Sequence, residues 1–403
     1  MNRNRQAFLL FLFIAAGLGP RQLAAQLTPA GPETRVDTAT GDLEPRCPKI
    51  AVAPDHSFEI VWGYEQRPPP EVKARHYDAS GLPTDPEEVL VAAVEHYAAA
   101  VDIRPVATGF QVLLRVLDDF RDGLKFLRDQ IGPDGVPAGS PRQVGAATTQ
   151  WVSSGPGDTV FAGTYNRHRF SVQKVDGRGR PTGRSYILNS RPIEDVLSTP
   201  VLAPLPGGRW VAVFTGNSVA RPRSRARPVI RARLFNARGP EGPDFDVNST
   251  PLGTPESATR LDYYYVVVAS SPSGFAISWD VGDATGAKLR VRFYNATGVA
   301  QGDEVTVATH KEFIAPLSGA FDGAGRLLLL WGAGTGGDPD FQAQLFDASG
   351  APAGPSFKPD TAASGAFTKP FCGSVAPAGD SWLITWAAHN DVFRSSIFVR
   401  RFD

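Results

Sequence analysis

Short alternating runs that close on an aromatic residue recur along the chain: Phe58-Glu59-Ile60-Val61-Trp62, Trp210-Val211-Ala212-Val213-Phe214, Phe275-Ala276-Ile277-Ser278-Trp279, Leu327 to Trp331 and Trp382-Leu383-Ile384-Thr385-Trp386. A period of two with aromatic and β-branched bias predicts half-buried strands, because an amphipathic helix would return its apolar positions every three to four residues. Turn formers precede these runs at Ala53-Pro54-Asp55, Leu205-Pro206-Gly207-Gly208, Ser271-Pro272-Ser273-Gly274 and Pro377-Ala378-Gly379. Each run is therefore expected to be the second strand of a hairpin. Tyr165 closes a further copy, and Phe110 to Arg115 forms one without the aromatic.

Downstream of each run lies a second hairpin signal, an alternating strand ending in aromatic-Asp/Asn-x-x-Gly. It reads Tyr77-Asp78-Ala79-Ser80-Gly81, Phe235-Asn236-Ala237-Arg238-Gly239, Tyr294-Asn295-Ala296-Thr297-Gly298 and Phe346-Asp347-Ala348-Ser349-Gly350, with Val175-Asp176-Gly177-Arg178-Gly179 and Ile131-Gly132-Pro133-Asp134-Gly135 as variants. Phe402-Asp403 begins a seventh copy. An Asp or Asn side chain accepts from the backbone two residues on, and the closing glycine supplies positive φ, so the motif is a hairpin tip and needs no ligand to explain it. Five steps take the motif glycine from Gly81 to Gly350, a period of about 54 residues, and two hairpins per period make four strands. Seven such units predict an all-β fold, a seven-bladed β-propeller of four-stranded antiparallel blades.

Ring closure asks one blade to take strands from both ends. Pro29-Ala30-Gly31-Pro32-Glu33-Thr34-Arg35-Val36-Asp37-Thr38 nearly copies Pro352-Ala353-Gly354-Pro355-Ser356-Phe357-Lys358-Pro359-Asp360-Thr361, the outer strand expected of the sixth unit. The seventh unit stops at Phe402-Asp403 without an outer strand of its own. The N-terminal strand is therefore expected beside Ile397 to Phe402, closing the last blade.

The repeat resembles one found in exported bacterial β-propeller proteins, a functionally uncharacterised group with an aromatic-[Asp/Asn]-x-x-Gly-x-Pro-x-Gly hairpin motif. The fourth unit carries the resemblance furthest, from Pro206-Gly207-Gly208-Arg209-Trp210-Val211 through Arg233-Leu234-Phe235-Asn236-Ala237-Arg238-Gly239 to Phe245-Asp246-Val247-Asn248. The resemblance spans nearly all of the chain after residue 25 and implies the propeller fold and export, with no shared activity to transfer.

Composition narrows the setting. Arg3 and Arg5 precede an apolar run from Ala7 to Gly19, followed by Leu23-Ala24-Ala25-Gln26, which is the order of a secretory signal peptide over residues 1–25. The run is too short to span a bilayer, and no later stretch is long and apolar enough. A single propeller domain over 26–403, secreted or periplasmic and monomeric, is the expected product. Lys+Arg and Asp+Glu are both 41, so no charge excess calls for nucleic acid as a partner. The only cysteines, Cys47 and Cys372, stand near opposite ends. An even count in an exported chain favours a disulfide between them, stapling the first blade to the seventh. Two cysteines do not make a structural zinc site, and no metal or cofactor is expected.

Candidate chemistry is sparse. Gly332-Ala333-Gly334-Thr335-Gly336-Gly337 fits a dinucleotide fingerprint in letters, but a strand follows where a phosphate-binding helix is needed, so it reads as a hairpin loop. Loops joining second to third strands, and links between blades, share one face of a propeller. There the sequence places Arg221, Arg223, Arg225 and Arg227, a cluster suited to an anionic polymer. The same face is expected to hold His96, His168, His310 and His389, together with Asp118, Asp119, Asp122, Asp280, Asp283, Asp338 and Asp340. Arg221, Arg223, Arg225, Arg227, His168 and His389 are the candidate ligand-binding residues. The leading expectation is a non-catalytic binding or scaffold module for an extracellular ligand or protein. The alternative is a polysaccharide- or peptide-acting hydrolase or lyase built from polar loops on that face. The aromatics Trp62, Tyr165, Phe214, Trp279, Trp331 and Trp386 recur once per unit, which fits packing between sheets better than sugar stacking.

Overall fold

The computed structural model describes residues 27–38, 44–64, 70–94, 96–117, 124–218, 228–249, 252, 265–283, 286–335, 338–360, 367–390 and 394–403. The leader predicted at 1–25 lies outside them. Seven antiparallel sheets follow in chain order, over 45–93, 97–143, 151–187, 193–246, 266–310, 313–357 and 367–402. Inner strands of successive blades pack side by side around the ring, except that Trp151–Ser154 of the third blade meets the second strand Gly109–Leu117 of the second, and Phe367–Ala378 of the last blade packs against Pro45–Val52 of the first. The molecule is a seven-bladed β-propeller.

Closure is as predicted. Thr34 and Arg35 pair with Val399 and Phe398, Pro29 bridges Phe402, and the Ile397 amide donates to Asp37 Oδ1 at 2.6 Å. In the sixth blade Pro352 bridges Phe346 and Phe357 bridges Ala343, so the two similar segments hold the same register on neighbouring blades. The sixth outer edge is reduced to these isolated bridges. Pro352, Pro355 and Pro359 lack the N–H that a continuous ladder needs.

The apolar residues form seven clusters, and each spans the seam between two adjacent blades. Alternation explains this arrangement, because a radial sheet with neighbours on both faces buries both sets of side chains. Trp62, Phe214, Trp279, Trp331 and Trp386 are buried in those seams, as the once-per-unit recurrence predicted. Tyr165 is half-buried, and its hydroxyl donates to the Ile193 carbonyl at 3.1 Å.

The tips are Asx turns. Asp78, Asp176, Asn295 and Asp347 each accept from the amides two and four residues on, and Gly81, Gly179, Gly298 and Gly350 have φ between 79° and 88°. The glycine has a second duty that the motif alone hides. A Cβ on Gly135, Gly298 or Gly350 would strike His76, Leu234 or Phe293 of the preceding blade.

An arginine two residues before the tip aromatic adds a clasp. Arg75, Arg233, Arg292 and Arg400 each lie over that aromatic ring, 5.7 to 6.0 Å from its centre. Each donates to a carbonyl of its own blade's outer segment and to one of the preceding blade's. Arg233 reaches Gly242 and Ile187, Arg292 reaches Gly302 and Val247, Arg75 reaches Pro86 and Val36, and Arg400 reaches Gly31 and Pro359. Gln344 and Gln173 occupy the position in blades six and three and bond only within their own blades, to Gly354 and Gly183.

Candidate functional site

Turns between inner and second strands gather at one end of the ring axis, on the face that also carries the Asx tips. There a cavity of about 470 Å³ opens among four consecutive blades. Val52, Ala53, Pro54 and His56 of the first blade line it with Pro105 of the second, Asp322, Gly323 and Ala324 of the sixth, and Pro377, Gly379 and Asp380 of the seventh. The tight turns are local consequences of sequence. Asp55 accepts from the Ser57 amide and hydroxyl, His56 takes φ 68° and Gly379 φ 67°. Asp322 repeats the tip device, accepting from the amides of Ala324 and Arg326 while its Oδ2 meets Arg326 Nε at 2.6 Å. Its carboxylate is thus occupied in holding the turn. The wall offers proline, alanine and glycine surface with His56 and Asp380 among it.

Polar groups of neighbouring inner strands interact between blades. Ser154 of blade three hydrogen-bonds Asp102 of blade two, whose pKa is raised by burial and drawn back by Ser154, Lys49 and Arg104. Lys49 of blade one also acts on Cys372 of blade seven. Cys47 and Cys372 meet at this closing seam, where the Cys372 thiol is held well above its ordinary pKa by burial and by its hydrogen bond with Cys47. They are two unbridged thiols, so the predicted crosslink does not appear. The sequence reading placed the cysteines on the right pair of blades but could not set the separation of their sulfurs, which depends on the local backbone.

On the opposite face, much of what the sequence points to lies outside the described residues. Arg221, Arg223, Arg225 and Arg227 lie outside the described residues, as do Asp118, Asp119 and Asp122. His168 sits in a two-residue hairpin turn with Arg167, both at positive φ, and its Nδ1 lies 3.0 Å from the Ile193 carbonyl. It secures the link into blade four. His389 lies half-buried on the second strand of blade seven, stacked on Phe371 with ring centres 4.1 Å apart. His310 Nδ1 accepts from the amides of Glu312 and Phe313 at a turn. These histidines stand on separate blades and secure local geometry. The glycine-rich run from Gly332 is part of a hairpin in which Thr335 pairs with Asp338, as the sequence reading expected.

Two carboxyls have pKa values pushed up to about 7. Asp280, at the end of a second strand in blade five, accepts from the Tyr265 amide at 2.7 Å, and burial pushes its pKa up to about 7. Glu59, fully buried, lies 2.9 Å from His76 Nδ1. Burial raises Glu59 to about 7 against the opposing pull of His76, and the bond to Glu59 raises His76. In the alternating run Phe58 to Trp62, Glu59 reads only as a polar member, and a charged residue in such a run carries no signal of its burial. Among the described residues no group of three or more His, Cys, Asp or Glu side chains is placed to hold a metal ion.

Among solved structures the chain is similar to a protein of unknown function from Dyadobacter fermentans, with TM-score 0.54 and 9% identity over 94% of this chain and 99% of that one. It is also similar to the β-propeller domain of the trilobed protease of Pyrococcus furiosus, with TM-score 0.53 and 8% identity over 90% and 94%. That domain is described as having an open velcro topology, whereas here strand pairing between the ends shuts the ring. An α-L-arabinanase from Penicillium chrysogenum matches at TM-score 0.47 and 11% identity over 93% and 98%. At such identities the likeness is one of fold. Neither protein-family models nor curated proteins give a match.

Proposed function

We propose that this chain is an exported, monomeric propeller that binds an extracellular ligand at the axial cavity on the tip-bearing face and serves there as a binding or scaffold module. The observation that carries the reading is the cavity itself, walled by segments of four blades and built from largely apolar surface with few polar groups. Asp322, its buried acid, already bonds Arg326 and two amides, which fits recognition better than proton transfer. Export is supported by the leader pattern over residues 1–25.

The test is a thermal-shift panel of neutral and anionic oligosaccharides and short peptides. Gly323→Trp fills the cavity at little structural cost, since a Cβ there meets open space. A ligand class should raise the melting temperature of the wild type, fail with Gly323→Trp, and still act on a variant with Arg221, Arg223, Arg225 and Arg227 all changed to Ser. The reverse pattern overturns the reading and moves the site to the arginine face.

Asp280 favours hydrolysis as a second reading. A carboxyl whose pKa reaches about 7 retains its proton near neutrality, as a general acid must. The neighbouring Tyr265 and Phe313 rings are partly exposed and meet edge to face at 6.3 Å. Nitrophenyl glycosides and peptide nitroanilides test it. Turnover that falls above about pH 7 and disappears in Asp280→Asn supports catalysis, whereas turnover unchanged by Asp280→Asn removes this residue from any mechanism.

A further inference from the structure

The two sulfurs at the closing seam carry an inference separate from ligand binding. Cys47 and Cys372 lie on the inner strands Pro45–Val52 and Phe367–Ala378, which pack together where the ring shuts. Cys47 lies inside the register shift between Arg46 and Lys49, where a bulge takes a residue out of the ladder and re-aims its side chain, and it adopts φ 45° there. Cys372 borders the shift that follows Pro370 and pairs with Ala387. The thiols are in hydrogen-bond contact but their surroundings are unequal, with Cys47 exposed and Cys372 half-buried. Lys49, two residues beyond Cys47, draws the Cys372 pKa down against the larger upward effects of burial and of Cys47.

We propose that Cys47 and Cys372 form a dithiol at the closing seam that exchanges with small disulfides, Cys47 being the entry thiol and Cys372 the resolving one. The exposed Cys47 thiolate attacks a low-molecular-weight disulfide RSSR. Its S–S bond breaks, RS⁻ departs, and Cys47 carries the mixed disulfide. Cys372 then gives up its proton and attacks the Cys47 sulfur, expelling the second RS⁻ and joining blade one to blade seven. Two electrons pass to RSSR, and the two protons released by the cysteines are taken up by the two RS⁻ leaving groups. The order follows from access, because the exposed Cys47 sulfur meets the oxidant before the half-buried Cys372 does.

The experiment uses the full chain, reduced and then exposed to oxidised glutathione, with mass spectrometry and thiol titration after unfolding. Wild-type protein should lose both thiols, retain no glutathione, and unfold at a higher temperature, a shift reversed by dithiothreitol. Cys372→Ser should stop with one glutathione on Cys47. Cys47→Ser and Cys47→Ala, each checked for native near-ultraviolet dichroism, should stay unmodified while folded. The proposal is overturned if wild-type protein keeps glutathione as a mixed disulfide, if both thiols persist, or if Cys372 reacts as fast without Cys47 as Cys47 does without Cys372.

Discussion

Among single residues, Glu59 and His76 set how stability depends on pH. Both have folded pKa values above their ordinary ones, Glu59 at about 7 against 4.5 and His76 above 6.5. A raised pKa means the folded state holds its proton more tightly than the unfolded chain does. The contribution is complete below the unfolded value and is lost as pH climbs through the folded one. Both groups therefore act in one direction, and stability from this site declines between about pH 4.5 and pH 7, by on the order of 3 kcal/mol from Glu59. Asp55, Asp85 and Asp134 face the pair and favour the protonated forms. Urea denaturation across that range should show the decline in wild type and a flatter profile in Glu59→Gln. Glycines at equivalent tips should separate two effects. Gly81→Ala meets open space and incurs only positive-φ strain, about 1–2 kcal/mol, whereas Gly135→Ala also meets the His76 side chain and should cost about 1–3 kcal/mol more.

At the level of elements, a blade is stable through its neighbours. Trp279 is buried with Val211, Val213 and Phe275 in the seam between blades four and five. Trp279→Ala should cost about 3–5 kcal/mol in equilibrium unfolding, the usual penalty for emptying a large core site. Arg292→Lys retains charge but cannot reach both Gly302 and Val247, and should lose about 1–2 kcal/mol. The strands and tips were legible in the sequence because their determinants are local: a period of two, an Asx side chain and a glycine. The clasp was half legible, since Arg233 stood in the repeat but its partner Ile187 belongs to another unit. Burial of Glu59 beside His76 was not legible, because only the cross-strand register brings them opposite one another.

For the whole molecule, the repeat count and the likeness between residues 29–38 and 352–361 were enough to foresee the ring and its closure. The cavity was not foreseeable, because which face opens depends on how turns from blades one, two, six and seven converge, a property of blade tilt with no signature in any one segment. Closure itself is testable. Deleting residues 27–38 removes Asp37 from Ile397 and the Thr34 pairing from Val399. The truncated ring should unfold at lower temperature with a broadened transition and become sensitive to protease near Ser395–Phe402, and a synthetic 27–38 peptide should restore protection.

The contact between Asp37 and Ile397 joins residues 360 positions apart. A chain made from its amino end holds the closing segment 360 positions ahead of its partner, so the ring stays open until Ile397 has been made.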